Sequence, residues 1–184
     1  LYDDPKTREG WRDNGERFLF FCRAALEGLK GFGEKFDVLH AHDHQAAWTT
    51  CFARTHEADE PAFDGLATVF TIHNLGYQGI HDPWVLGLAG FPRELFYPQS
   101  PFEYWGRVNF MKVGLKFADL ISTVSPTYAR EIQGPELGVG LDGLLRERAA
   151  VVSGILNGVD DAVWDPAHDG AIAATYDARR LAGK

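Results

Sequence analysis

Two hydrophobic periods run along this chain. From Asn14 to Lys30, the apolar residues Phe18, Phe21, Cys22, Ala25, Leu26 and Leu29 fall at i, i+3, i+4, i+7, i+8 and i+11, the stripe of an amphipathic helix. Asp13 or Asn14 can cap its start, and Gly31 follows its end. Short apolar runs of strand length come next. Phe36 to Ala41 runs into His42-Asp43-His44, and Leu66 to Phe70 runs into Thr71-Ile72-His73-Asn74. Asp119 to Val124 runs into Ser125-Pro126, and Val151 to Leu156 runs into Asn157-Gly158.

Between the runs the pattern predicts helices from about Gln45 to Glu57 and from Arg107 to Ala118. Ser125-Pro126 is a helix start, with a hydroxyl cap before proline at the first helical position. The glycine-rich segment from Gly134 to Gly143 opens a short helix through Leu144 and Arg148. Trp164-Asp165-Pro166 reads as a linker, and a weak helix is predicted from Ala171 to Ala182. Residues 73 to 106 are long, irregular and rich in proline and aromatics, the composition of a functional loop rather than a disordered one. Strand alternating with helix predicts an α/β fold with a Rossmann-like parallel sheet. In such sheets ligands sit outside the carboxyl ends of strands, so the four polar run-ends predict one functional rim.

At 184 residues the chain suits one domain, and its ordinary apolar content adds no special class. A net charge of -8 argues against nucleic-acid binding, which needs a basic face, and no apolar stretch approaches membrane-helix length. Cys22 and Cys51 fall on apolar helix faces, which makes them small core residues of a reducing compartment. The opening residues lack methionine and a signal core, so the chain reads as a fragment of a longer protein.

His40-Ala41-His42-Asp43-His44 invites a metal reading, that of a metal-dependent hydrolase. No second ligand cluster accompanies it: His56, His81 and His168 are scattered, and a metal site needs its full ligand count. The competing reading gives His40 to sheet packing and the others to a polar loop. Asp43, at a strand end, needs a hydrogen-bond partner, which a sugar hydroxyl or a helix amino terminus would equally provide. His73 and Asn74 are the strongest functional candidates from spacing alone.

Four strings together resemble the bacterial glycogen synthase and plant starch synthase family: Asp37-Val38-Leu39-His40-Ala41-His42-Asp43, Thr71-Ile72-His73-Asn74-Leu75-Gly76-Tyr77-Gln78-Gly79, the run from Ala118 to Ile132, and Gly154-Ile155-Leu156-Asn157-Gly158-Val159-Asp160. The resemblance implies a retaining hexosyltransferase that moves glucose from ADP-glucose to the non-reducing end of an α-1,4-glucan in the cytoplasm, with ADP-glucose as co-substrate and no cofactor. It implies residues 1–160 as part of the amino-terminal lobe of a two-lobed GT-B fold, and residues 161–184 as linker and start of the carboxyl-terminal lobe.

Carried over by motif, Asp43 would bind sugar hydroxyls. His73 would hold the glucose 6-hydroxyl with its side chain and face the anomeric carbon with its backbone carbonyl. Asn74, Asn157 and Tyr2 would line sugar subsites. The lysine-glycine loop and second-lobe cations that grip the nucleotide are not in this chain, so the isolated piece is expected to be inactive. His44 stands where the family often carries tryptophan, which puts aromatic stacking there in question. Trp84, Tyr97 and Trp105 could supply aromatic surface, although core packing is the commoner fate of such residues. A non-catalytic glucan-binding module is the alternative.

Overall fold

The computed structural model describes residues 3–184. Helix α1 (Asn14–Gly31) leads through a loop into strand β1 (Val38–His42), and helix α2 (Asp43–Arg54) follows without a break. Strand β2 (Ala67–Ile72) comes next. The irregular stretch then contains β3 (Ile80–His81), a short helix α3 (Trp84–Leu88) and β4 (Glu103–Tyr104), and β5 (Arg107–Asn109) closes it. Helix α4 (Phe110–Phe117), β6 (Leu120–Thr123), α5 (Pro126–Glu131), α6 (Asp142–Glu147) and β7 (Val152–Gly154) complete the order.

The main sheet has the order β1-β2-β6-β7 with every pair parallel, as the alternating pattern predicts. Register sets its two faces. Ala41, Phe70 and Ile121 align on one face, and His42, Thr71 and Ser122 align on the other. The first face is buried under α2 and α4, where Phe70, Met111 and Leu115 are fully excluded from solvent. On the second, Thr71 and Ser122 are buried but Val38 and Leu120 remain exposed, so this face is only partly covered.

Several boundaries differ from expectation. In α1 the buried stripe is Phe18, Leu19, Cys22 and Leu26, while Phe21 is exposed. The helix packs chiefly on α2, and a single neighbour accepts only a narrow stripe. The helix expected at Gln45 starts two residues earlier, and the one expected at Arg107 starts at Phe110, because residues 107–109 pair with both β3 and β4. Asn109 then caps α4, its side-chain oxygen accepting from the Lys112 amide at 3.0 Å. Ser125 caps α5 as its sequence predicts, accepting from the Tyr128 amide at 2.9 Å. No helix forms over 171–182. That segment is mostly exposed turns, with Asp177 accepting from the amides of Arg179 and Arg180, and a short helix without a packed face is marginal in water.

The ends of the elements are tied by charged groups. The Asp119 carboxylate accepts from the Thr68 amide at 2.6 Å and the Thr68 hydroxyl at 2.9 Å, and pairs with Arg54. Burial works against the charged form, but these bonds outweigh it and hold the carboxyl below its ordinary range. Arg148 donates to the carbonyls of Leu115, Lys116 and Ala118 at 2.9, 3.1 and 2.7 Å, capping the end of α4 with a guanidinium. Among the described residues, no helix is long and apolar enough to cross a membrane.

Candidate active site

All four strands point the same way, so their carboxyl ends share a rim. β1 stops at His42, and Asp43 takes the left-handed conformation, φ 56°, before α2 proceeds. Aspartate tolerates that conformation better than most residues, and strain of this kind concentrates at functional sites. The turn aims its carboxylate across to the end of β2, where Oδ1 accepts the backbone N–H of His73 at 2.8 Å. The first two motif strings are thereby joined. The second and third are joined as well: the Thr123 hydroxyl donates to the Ile72 carbonyl at 2.7 Å, and the Tyr128 hydroxyl accepts from the Leu75 amide at 3.1 Å.

A line of polar side chains crosses the sheet behind this junction. His73 Nε2 and His42 Nδ1 share a hydrogen bond of 3.0 Å, and the His42 ring lies 4.2 Å from that of His40. His40 Nε2 meets the Thr71 hydroxyl at 2.6 Å, which in turn meets Ser122 Oγ at 2.6 Å. Burial, followed by the neighbouring His40 and His73, lowers the pKa of His42, which favours a neutral ring at neutral pH. The histidine string is therefore spent on separate partners: His40 on Thr71, His42 on His73, and His44 on the Tyr77 carbonyl at 3.0 Å. Among the described residues no group of three or more His, Cys, Asp or Glu is placed to hold a metal.

Beside the junction lies a cleft of about 840 Å³, whose lining includes Asp43, His44, Asn74, Tyr77, Gln78 and Tyr104. Its far wall is built from residues distant in sequence. Asn109 Nδ2 donates to Gln78 Oε1 at 2.6 Å, and Gln78 Nε2 donates to the Val139 carbonyl at 2.9 Å. The Tyr104 hydroxyl donates to that same carbonyl at 3.1 Å. Val139 has φ 45°, an unusual conformation for a β-branched residue, and these two donors hold its carbonyl in place. His81 also faces the cleft, and its pKa is pushed down to about 4, first by burial and then by His44 and Arg107. Its Nε2 is buried with no hydrogen-bond partner.

Of the residues singled out from sequence, Asp43, His73 and Asn74 come together. Asp43 and Asn74 line the cleft, and His73 is exposed next to them. The Asn74 side chain is partly engaged, accepting from the Gly76 amide at 2.9 Å. Asn157 does not join this group. β7 ends at Gly154, where the Ser125 backbone passes so close that a Cβ would meet its oxygen at 2.1 Å, and Asn157 is exposed beyond it. It lies three residues past the end of β7 and is not among the residues that line the cleft. Tyr2 lies outside the described residues.

Sequence reasoning missed Gln78, Tyr104, Val139 and His81. Gln78 lies within the second motif string, His81 is weighed only as a metal ligand, and Tyr104 is one aromatic of the irregular stretch, while Val139 carries no signal of its own. That stretch divides: Phe91 and Phe102 pack on Trp48 in the core, whereas Trp84, Tyr97 and Trp105 are all exposed.

The starch synthase catalytic domain family matches residues 1–147 of this chain. A glycogen synthase of Rhodopseudomonas palustris (strain BisA53) is 48% identical over 182 residues, covering 98% of this chain and 36% of that protein. One from Thermotoga maritima is 47% identical over 169 residues, covering 92% of this chain and 35% of that protein. The solved catalytic domain of Starch Synthase IV from Arabidopsis thaliana, bound to ADP and acarbose, matches with a TM-score of 0.78 at 36% identity, over 97% of this chain and 37% of that chain. The chain spans just over a third of the length of these relatives.

Proposed function

Because the chain belongs to the glycogen and starch synthase family, we propose that it supplies part of the amino-terminal lobe of a GT-B enzyme that transfers glucose from ADP-glucose to the non-reducing end of an α-1,4-glucan, with retention. Residues 3–160 hold the sheet and the cleft and form the lobe portion. Residues 161–184, mostly exposed turns, are the linker toward a second lobe. The buried free thiols Cys22 and Cys51 fit a reducing, cytoplasmic setting.

The observation that carries this reading is the bond from the His73 amide to Asp43 at the mouth of the cleft. With its N–H held by Asp43 and the Ile72 carbonyl held by Thr123, the peptide that enters His73 is fixed at both ends, which anchors the residue whose carbonyl this reading turns toward the sugar. A glycosyl transition state places positive charge on the sugar ring, and a preorganised carbonyl dipole aimed at that carbon lowers the barrier. The bond from His42 leaves His73 Nδ1 to meet a sugar hydroxyl. Asp43 Oδ2 and the Asn74 amide nitrogen are the polar groups for further hydroxyls. ADP and an oligosaccharide, as bound in the Arabidopsis structure, are the ligands this reading assigns. The departing diphosphate needs cations, which this reading places in the second lobe. The chain by itself is therefore inactive.

The test is a chimera in which this chain replaces the matching segment of the Rhodopseudomonas palustris enzyme. His73→Ala, which removes the imidazole and keeps the backbone carbonyl, should lower glucosyl transfer from ADP-glucose by about 10-fold, the scale of one lost hydrogen bond to the sugar, while ADP binding stays within about 3-fold. Equal losses in turnover and ADP affinity would remove His73 from the sugar site.

A further inference from the structure

β4 and β5 form a hairpin in which Tyr104 pairs directly with Arg107, leaving a two-residue turn, Trp105-Gly106. Both turn residues have positive φ, 51° and 78°, the signature of a type I′ turn. Asparagine, aspartate or glycine normally fills the first of these positions, because bulky side chains adopt the left-handed region at a cost. Here the position holds tryptophan. The residue is 84% exposed, and its indole meets Tyr104, edge-on at 6.4 Å between ring centres and through a side-chain hydrogen bond. Neither turn geometry nor core packing accounts for an indole at this point.

The surroundings brace the turn that carries this indole, directly after the cleft residue Tyr104. The Glu103 carboxylate accepts the Gly106 amide at 2.8 Å and fastens the turn. Arg107 reaches back to the His81 carbonyl at 3.2 Å and to Asp82 at 3.3 Å, and Lys112 holds the Glu103 carbonyl. Tyr104, next in the chain, lines the cleft and bonds the Val139 carbonyl across it. Tyr77 and Ile80, both exposed, lie in the same cleft. A flat aromatic face on a braced hairpin costs little entropy to engage.

From this geometry we propose that Trp105 is a stacking platform for the α-glucan chain, a subsite beyond the cleft that holds sugar units distant from the reacting end. The proposal rests on the reading of the cleft as the glucan site. A cleft of this volume takes only a few sugar residues, so a polymer seated in it must continue past its mouth. The C–H face of a glucose ring is apolar while its rim of hydroxyls stays in water. An exposed indole flanked by the charged Glu103 and Arg107 matches both demands.

The test is calorimetric titration of the chimera described above with maltotriose and maltoheptaose, comparing wild type, Trp105→Asn and Trp105→Phe. Asparagine suits the turn, so Trp105→Asn should melt no lower than wild type, which separates binding from folding. The preference for the longer sugar, read as the ratio of the two Kd values, should shrink about 3- to 10-fold in Trp105→Asn and be largely kept in Trp105→Phe. An unchanged ratio in Trp105→Asn, or an equal loss in Trp105→Phe, overturns the platform and leaves the cleft reading standing. Failure of the wild-type chimera to bind either sugar overturns both.

Discussion

Gly114 is the position where two opposing effects can be weighed most directly. It lies inside α4, where glycine costs about 1 kcal/mol relative to alanine, so helix propensity alone makes Gly114→Ala stabilising. The structure predicts the reverse. A methyl at this position would sit 2.6 Å from two ring carbons of Phe70 and 3.0 Å from Ala47 Cβ, against an optimum of about 3.5–4.0 Å between carbons. Phe70 is fully buried at the centre of the sheet, so its ring has no open space to enter. Helix α4 would have to lift from α2 and β2 by about 1 Å, in an interior packed like a crystal. Overpacking of this kind costs about 3 kcal/mol at the upper end of its usual range, and subtracting the propensity gain leaves about 2 kcal/mol of destabilisation.

With a urea m-value of about 2 kcal/mol/M, the unfolding midpoint should fall by about 1 M with m unchanged. Phe70→Leu in the same background supplies the control. If the ring is the obstacle, the double variant should be at least about 1 kcal/mol more stable than the sum of the single effects. A midpoint for Gly114→Ala at or above wild type, or strict additivity with Phe70→Leu, would refute the argument.

His81 makes stability depend on pH. Its folded-state pKa is depressed to about 4, while the unfolded chain titrates near 6.5. The stability is intact above 6.5 and is lost as pH falls toward 4, by up to roughly 3 kcal/mol. Urea midpoints between pH 7.5 and 4 should therefore fall more steeply for wild type than for His81→Gln, and parallel curves would contradict the burial argument. Arg148→Ala removes three hydrogen bonds from the end of α4 and should cost about 2 kcal/mol, or roughly 5 °C in Tm by thermal melting. Arg148→Lys should recover less than half of that, because one ammonium cannot span three carbonyls.

Local features of the chain were legible from its residues. The i, i+3, i+4 stripe located α1 to within one residue at its end, and Ser125-Pro126 marked the start of α5. The apolar runs ending in polar residues located all four strands of the main sheet, and their alternation with helices implied parallel pairing. Errors arose where neighbours overrode propensity. Residues 107–109 read as helix but pair as strand, and Phe21 fits the stripe but has nothing to pack against. Alanine-rich 171–182 has the propensity for a helix but no face to bury.

What the sequence alone determined is the set of elements and the chemistry placed at their ends: Asp43 after β1, and His73 and Asn74 after β2. Capping, periodicity and turn preferences act over a few residues, so they can be read without knowing what lies across the fold. Only the tertiary structure decided that β1 lies beside β2, which brings the Asp43 carboxylate to the His73 amide and the His42 ring to that of His73. It alone brought Gln78 and Val139 together across 61 positions to wall the cleft, whose lining does not include Asn157. Such contacts depend on which surfaces exclude water together, and that is a property of the assembled layers rather than of any one segment.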